Sequence, residues 1–137
     1  MNCCDMLSFE GGDNMKLNPD CIRDILLTVE ENVTLKRAIR IPFGNTYLLL
    51  EKYPHDVVSY HIRQCQLSGL LYNVRPSTGG SFYIDDLSPA GHDFLSNIRA
   101  DKNWDKAKSA AKKVGTESLS ILVKLAGDII WNLISKP

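Results

Sequence analysis

The stretch over residues 53–98 constrains the fold more than any other part of the chain, because helical and strand-like patterns follow one another there with clear stops between them. Apolar residues at the i, i+4, i+7 spacing of one helical face predict a helix over residues 54–68. These residues are Val58, Ile62 and Cys65. Gly69 can end this helix, since a residue without a Cβ enters the left-handed conformation at little steric cost.

Two short strand-like runs follow the helix, over residues 70–74 and 82–84. Residues 76–80 lie between them and have the composition of a turn. Ser88 and Pro89 then supply the cap and the first residue of another helix. We expect the following side chains to be buried together: Val58, Ile62, Leu70, Phe94 and Leu95. This order predicts a winged helix-turn-helix followed by C-terminal helices, a mainly α chain with a small antiparallel β-ribbon (α+β).

A further helix is predicted before this unit. Asn18 can cap it, Pro19 has a φ already suited to its first position, and it is expected to run to about Val33. Within residues 35–43 β-branched residues alternate with other residues, and this pattern predicts a short strand or an extended arm. Its cations are Lys36, Arg37 and Arg40. They form either a solvated strand face or contacts to nucleic-acid phosphate.

Residues 47–52, with Asn45 and Thr46 as caps, predict a short helix that would be the first helix of the helix-turn-helix. Polar side chains on the second helix lie away from its apolar stripe and are of types that read base edges or contact phosphate. These candidate DNA-binding residues are Ser59, Tyr60, Arg63, Gln64 and Gln66, with Arg75 beside the predicted turn. The competing interpretation is an ordinary solvated helix face, which shows the same residue types.

Two more helices are predicted near the end of the chain, over residues 101–114 and 117–135, separated by Gly115 and Thr116. The first of them carries five lysines: Lys102, Lys106, Lys108, Lys112 and Lys113. This basic stretch is either a solvated face or a surface that holds a nucleic-acid backbone or an acidic protein.

The last helix presents a continuous apolar face, which must be covered. The candidate interface residues are Leu119, Leu122, Val123, Ala126, Ile129, Ile130 and Leu133. Three partners compete for this face: the chain's own winged domain, a second copy of the chain, and a membrane surface. A membrane-surface helix normally rings its polar face with cations, whereas this helix has Lys124 alone before Lys136. We expect a homodimer, because helix-turn-helix domains usually act in pairs.

The charge balance limits the function. The 137 residues contain 16 basic and 16 acidic side chains, so bulk attraction to nucleic acid cannot be the sole source of affinity. No hydrophobic run reaches the roughly 20 residues of a membrane span. Residues 1–14 lack the basic start and apolar centre of a signal peptide. We therefore expect a cytoplasmic protein with reduced thiols and no membrane partner.

Residue types that serve catalysis or metal binding do not form recognisable motifs here. The four cysteines contain no Cys-x-x-Cys pair, and His55, His61 and His92 are scattered along the chain. No serine, cysteine or carboxylate stands in a recognisable nucleophile setting, and no glycine-rich phosphate loop is present. We expect no enzyme activity, no metal and no cofactor. Cys21 and Cys65 are expected to pack as small hydrophobes.

Residues 1–14 differ from the rest of the chain in their lack of periodicity, and we expect a disordered leader there. A purine-rich ribosome-binding sequence in the gene would, if translated in this reading frame, encode Glu-Gly-Gly. These three residues occur at positions 10–12, shortly before Met15. Met15 is therefore a candidate native start. The expected organisation is a leader over residues 1–14, a winged domain over residues 15–101 and a helical extension over residues 102–137 that serves oligomerisation.

Three blocks of sequence carry a family resemblance. They are NPDCIRDIL at residues 18–26, YHIRQC with SGLL at residues 60–71, and LSPAGHDFL from residue 87 with Ile98, Arg99 and Trp104. Together they are similar to the bacterial and phage family called domain of unknown function 2513, over Met15 to nearly the C-terminus. The resemblance implies a small prophage or mobile-element protein with a winged-helix core. It supplies no established activity and no catalytic residue.

The leading functional expectation is a DNA-binding transcriptional regulator of a phage or mobile element. The helix over residues 54–68 would enter the major groove, with the turn at residues 76–80 beside it. The alternative is a non-enzymatic protein-interaction module, for instance a phage-encoded modulator or inhibitor of a host protein, that uses the winged fold as a scaffold. Neutral charge favours the alternative, whereas the predicted fold favours DNA.

Overall fold

The computed structural model of the chain describes residues 16–41, 47–115 and 118–135. Within them the α-helices are α1 Pro19–Asn32, α2 His55–Leu67, α3 Pro89–Ile98, α4 Asp101–Val114 and α5 Leu119–Ser135. The strands are β1 Ile39–Ile41, β2 Leu71–Pro76 and β3 Phe82–Leu87, and one-turn 3-10 helices lie at Leu48–Leu50 and Thr78–Gly80. The predicted α+β class is confirmed. The leader and the proposed start at Met15 lie outside the described residues.

The predicted helix boundaries follow from local chemistry. The Asn18 side chain accepts hydrogen bonds from the backbone N–H groups of Asp20 and Cys21, and Ser88 caps α3 through Gly91. Gly69, with φ +74°, follows the end of α2. These caps act within a few residues of the chain, which is why the sequence predicts them.

The sheet has three strands rather than the two of the predicted ribbon. β3 lies in the centre, with β1 and β2 antiparallel on either side. The strand predicted over residues 35–43 is confined to Ile39–Ile41 among the described residues. Thr34 and Arg37 exchange two backbone hydrogen bonds of 3.0 and 3.1 Å, so the chain forms a tight turn there before β1 begins.

The short helix predicted over residues 47–52 is only a 3-10 turn, Leu48–Leu50. Leu50 is fully buried and ties this turn to the core. Pro54 lacks the N–H that a continuing helix would need, so α2 starts afresh after it. The predicted caps at residues 45–46 lie outside the described residues.

One hydrophobic cluster spans all five helices and the sheet. The five side chains expected to be buried together are each at most 1% exposed: Val58, Ile62, Leu70, Phe94 and Leu95. α4 and α5 join the same cluster through Trp104, Ala107, Leu119, Leu122 and Ala126. The predicted boundary at residue 101 is therefore not a break in the core.

Polar contacts also join α4 to the elements before it. The Arg23 guanidinium donates to the carbonyls of Ile98 and Arg99 and to the Asp101 carboxylate, so it bridges the end of α3 and the start of α4. The Trp104 indole N–H donates to Asp20 at 2.8 Å. Burial would raise the pKa of Asp20, but hydrogen bonds from Lys108 and Trp104 outweigh it and hold that pKa below its usual value.

A buried histidine links α1 to α2. His61 is 1% exposed; its Nε2 accepts from the backbone N–H of Asn18 at 2.8 Å, and its Nδ1 donates to the carbonyl of Val57 at 2.7 Å. An Nε2 that accepts carries no proton, so the folded state holds the neutral ring. Burial lowers the pKa of His61, although the Val57 carbonyl opposes the shift.

Acidification from about pH 7.5 to about pH 5.5 should lower the free energy of unfolding. The His61 pKa lies near 6.5 in the unfolded chain and lower in the folded one. Its contribution is therefore fully present above pH 6.5 and is lost as the pH falls from there through the lowered folded pKa. Urea unfolding at several pH values measures how steeply the free energy of unfolding depends on pH. His61→Gln should flatten the dependence of the unfolding free energy on pH; equal slopes in wild type and H61Q would contradict this explanation.

Gly91→Ala should destabilise the fold strongly. A Cβ at position 91 would lie 2.0 Å from the backbone carbonyl oxygen of Leu70, which has no flexible end that could move away. We expect a loss of about 3 kcal/mol or more in the free energy of unfolding, measured by urea denaturation. The matched control is Gly127→Ala, where the nearest atom is 3.9 Å away and the expected change is a gain of up to about 1 kcal/mol. A small loss of unfolding free energy in both variants would disprove the close approach of residue 91 to the Leu70 backbone.

Candidate nucleic-acid interface

A cleft of about 480 Å³ lies between α2 and the β2–β3 hairpin. The α2 side is largely polar and consists of Asp56, Ser59, Tyr60, Ile62, Arg63 and Gln66. The hairpin side is apolar and consists of Val74, Pro76 and Phe82. We call this site the α2–hairpin cleft. Its two unlike walls can receive a ligand with both polar and apolar groups.

Local folding explains why these two walls meet. The buried stripe of α2 turns its polar residues outward, toward the hairpin. The Leu70 N–H donates to the Cys65 carbonyl at 2.9 Å, and the Leu70 carbonyl accepts from the Ser88 N–H at 3.0 Å. Leu70 therefore connects the end of α2, the start of the hairpin and the start of α3, and these bonds set the angle of the hairpin against α2.

The structure brings together four of the five α2 residues predicted to bind DNA. Ser59, Tyr60, Arg63 and Gln66 all line the α2–hairpin cleft. Gln64 instead lines a different depression, beside Lys16 and Ser120. It lies one residue beyond Arg63, a rotation of about 100° around the helix axis, and the two depressions meet at Tyr60, which lines both.

Arg75 lies on the other face of the hairpin. In the β2–β3 register Val74 pairs with the buried Ile84, whereas Arg75 pairs with Tyr83 on the opposite face. Arg75 donates to Asp85 at 2.6 Å and lies 5.3 Å from the centre of the Tyr83 ring. Hydrogen bonds from Asn73 and then from Arg75 hold the pKa of Asp85 below its usual value. The charge of Arg75 is thus compensated within the hairpin.

The three upstream cations also lie away from the cleft. Arg40 pairs with Tyr83 in the register, so it shares the outer face of the sheet with Arg75, and it donates to Ser81 at 3.1 Å. Lys36 and Arg37 are exposed in the turn after α1. The structure therefore divides the predicted DNA-binding residues among separate surfaces.

The lysines of α4 do not form one basic surface with Lys36 and Arg37. Lys108 contacts Asp20 in the first turn of α1, whereas Lys36 and Arg37 follow the last turn of the same helix. The 14 residues of α1 separate the two ends by about 20 Å. The two basic groups therefore flank α1 from opposite ends.

Sequence reasoning did not name five of the residues that line the cleft as candidate site residues: Asp56, Ile62, Val74, Pro76 and Phe82. Two of them could have been found. Asp56 is one helical turn before Ser59 and two before Arg63, so helical spacing places it on the same face. Phe82 precedes Ile84 by two residues, so strand alternation places both on the inner face of the sheet. The position of Val74 and Pro76 opposite α2 depends on long-range packing.

The interior of the described residues includes two cysteine thiols, Cys21 and Cys65. Among the described residues, no group of three or more His, Cys, Asp and Glu side chains could hold a metal ion. Cys21 and Cys65 are fully buried. Burial raises the pKa of Cys21 to about 12 and also raises the pKa of Cys65, so both pack as neutral thiols.

The predicted interface residues on α5 divide into two groups. Leu119, Leu122 and Ala126 are at most 5% exposed and pack on the chain's own core, so a partner cannot use them. Leu133 lies on the same side but is 51% exposed, because the helix extends past the edge of the core. Val123, Ile129 and Ile130 are half-buried. In the part of the chain that the structure describes, no helix is long and apolar enough to cross a membrane.

These features define a small α+β domain with the α2–hairpin cleft on its surface. The chain belongs to the family described as Hypothetical protein (DUF2513), which matches residues 16–117, from the lead into α1 to just beyond α4. The predicted family resemblance is thus confirmed. A Haemophilus influenzae Rd protein named Uncharacterized protein is 30% identical over 124 residues, covering 88% of this chain and all of that protein. No solved structure matches the chain.

Proposed function

We propose that this chain is a DNA-binding transcriptional regulator of a phage or mobile element, with α1 to α3 and the sheet forming a winged helix-turn-helix. One observation carries the proposal: α2 is followed directly by the β2–β3 hairpin, and β3 also pairs with β1, the strand that precedes α2. This order is the one expected of a recognition helix with a wing beside it, which supports the proposal. The proposed role is non-catalytic and belongs in the cytoplasm, where the DNA is.

In this proposal α2 enters the major groove and the hairpin turn lies beside it. Arg63 is exposed and is the only lysine or arginine in the α2 sequence. Its guanidinium suits the O6 and N7 acceptors of guanine, and the Gln66 amide suits the edge of adenine. Asp56 at the start of α2 would repel phosphate, so the contacts are expected to centre on the second half of the helix.

Zero net charge shapes the expected binding. Among the described residues, Arg63 is the only lysine or arginine that lines the cleft, since Arg75 and Arg40 lie on the outer face of the sheet. Counterion release should therefore be small and the dependence of affinity on salt shallow. Affinity would come mainly from base contacts and from pairing two half-sites.

The chain should enrich particular duplexes from a random DNA library at about 50 mM salt. Arg63→Gln should weaken binding to an enriched duplex by about tenfold or more, because it removes a bidentate base contact. Fluorescence anisotropy measures both affinities. Lys124→Gln is the matched control: it removes one exposed cation on α5 and should change affinity by less than about twofold.

Two results would overturn the DNA proposal. One is an absence of enriched duplexes at any salt concentration. The other is an equal loss of affinity in R63Q and K124Q, since that pattern would mean bulk charge rather than contacts made by α2. Circular dichroism of each variant checks that the fold is intact.

The second candidate function is a protein-interaction module, such as a phage-encoded modulator of a host protein. The specific observation that favours it is the apolar hairpin wall of Val74, Pro76 and Phe82, which faces the polar wall of α2. Apolar surface beside convergent polar groups is typical of a site for a peptide or protein segment. Failure of the DNA selection with a folded chain would leave this function as the better account of the cleft.

We further propose that two copies pair through the last turns of α5. Ile130 and Leu133 continue the apolar face of α5 beyond Ile129, which packs against the core, and Ile134 is 71% exposed beside them. The sequence after Asp128 carries no charge up to Ser135. An uncharged apolar segment fits a second copy of itself better than it fits nucleic acid.

The chain should sediment as a dimer at about 50 μM, and Leu133→Ser together with Ile134→Ser should shift it to monomer. Both side chains are more than half exposed, so the change should not unfold the subunit. Ile121→Ser, at an exposed position in the first half of α5, is the control and should leave the dimer intact. A wild-type monomer at high micromolar concentration would refute the pairing without touching the DNA proposal.

A further inference from the structure

A pocket of about 320 Å³ lies where the lead into α1, the end of α4 and the start of α5 meet. It shares no lining residue with the α2–hairpin cleft. Six of its lining residues determine its chemistry: Lys16, Lys108 and Lys112, with Leu17, Ala111 and Leu122. We call it the lysine pocket. It combines a basic rim with an apolar floor.

The rim charges come from two parts of the chain that are far apart in sequence. Lys16 precedes α1, whereas Lys108 and Lys112 are one turn apart on α4. Even spacing of lysines keeps a single helix soluble, and this accounts for Lys112, but it does not explain why Lys16 lies at the same pocket. Convergence of like charges is unfavourable unless an anion compensates it.

The partners of these lysines differ. Lys108 donates to Asp20 at 2.9 Å and lies 5.4 Å from the centre of the Trp104 ring, so its position is fixed and its charge is largely compensated. Lys16 and Lys112 are exposed and form no ion pair with any described residue. Within the described part of the chain, two rim cations are therefore without an anionic partner.

The floor is apolar and belongs to the core. Leu122 is 2% exposed and Ala111 is 8% exposed, and both pack in the hydrophobic cluster, while Leu17 packs against that cluster from the rim. An inorganic ion would leave this floor uncovered. The volume is at the lower end of the range for small-molecule pockets and is too small for a duplex.

We propose that the lysine pocket binds a small soluble anion with an apolar body. The body, aromatic or aliphatic, would cover Leu17, Ala111 and Leu122. Its phosphate or carboxylate would lie between the ammonium groups of Lys16 and Lys112, where charge-assisted hydrogen bonds are strong. The inference does not depend on DNA binding, because it uses none of the residues of the α2–hairpin cleft.

Titration of the full chain with 1-naphthyl phosphate should show saturable one-to-one binding by calorimetry, with a Kd of about 0.1–1 mM. A parallel titration with 1-naphthoate tests a carboxylate head. Inorganic phosphate and neutral 1-naphthol should each bind at least about tenfold more weakly, because each supplies only half of the required contacts. Binding should also raise the thermal midpoint of unfolding.

The double variant Lys16→Gln and Lys112→Gln should weaken binding of 1-naphthyl phosphate by about tenfold or more. The matched control is Lys102→Gln with Lys106→Gln. It also removes two positive charges, both from positions on α4 that do not line the pocket, and should change the Kd by less than about twofold. The unliganded thermal midpoints of both variants check that folding is preserved.

Three outcomes would overturn the proposal: no saturable binding of either naphthyl anion, equal weakening in both double variants, or inorganic phosphate binding as tightly as 1-naphthyl phosphate. A fourth is lysine-dependent binding to vesicles of phosphatidylglycerol without binding of the naphthyl anions, which would assign the rim to a membrane surface instead. None of these outcomes bears on the DNA selection, so the two proposals fail separately.

Discussion

The close approach of Gly91 to the backbone of Leu70 is the constraint on which the functional surface depends. The Leu70 N–H donates to the Cys65 carbonyl at the end of α2, and the Leu70 carbonyl accepts from the Ser88 N–H, so both backbone groups of Leu70 form hydrogen bonds. α3 can reach this position only because residue 91 has no side chain. The hairpin leaves from the same point, and its angle to α2 fixes the width of the α2–hairpin cleft. A core contact between two backbones thus sets the geometry of an exposed site.

The helices were predictable because their signals are local. Asn18, Ser88 and Gly69 act on neighbouring residues, and helical periodicity identified the buried stripe of α2. The partners of the cations were not predictable in the same way. Whether Arg75 is free or bound to Asp85 depends on which strand residues lie opposite each other, and this register is set by packing across the sheet. Periodicity likewise found the apolar face of α5 but could not show where the core beneath it ends.

Net neutrality conceals a division of charge among surfaces. On the outer face of the sheet Asp85 compensates the charge of Arg75, whereas Arg40 donates only to the neutral Ser81 hydroxyl. Arg23 and Arg99 bind groups at the junctions of α1 with α3 and α4. Among the described residues, cations without an ion pair remain at the turn after α1, at Arg40, at Arg63, along α4 and at Lys16. Lys16 and Lys112 meet at the lysine pocket, whereas the turn after α1 lies about 20 Å away along that helix, which is beyond the Debye length at physiological ionic strength, so each group of cations acts locally. Recognition by this chain must therefore rest on individual contacts more than on a collective field.

The two sites are joined by a short covalent and hydrogen-bonded route. Lys16 and Leu17 at the lysine pocket lead directly to Asn18, whose N–H donates to His61 on α2, next to Tyr60 and Ile62 of the α2–hairpin cleft. Proximity alone does not couple the two sites, because a ligand shifts a conformational equilibrium only if it binds the two states with different affinity. His61 is held by two hydrogen bonds and is almost fully buried, which favours a single arrangement of α1 against α2. The packing therefore predicts that the pocket and the cleft work as independent sites unless protonation of His61 releases this link.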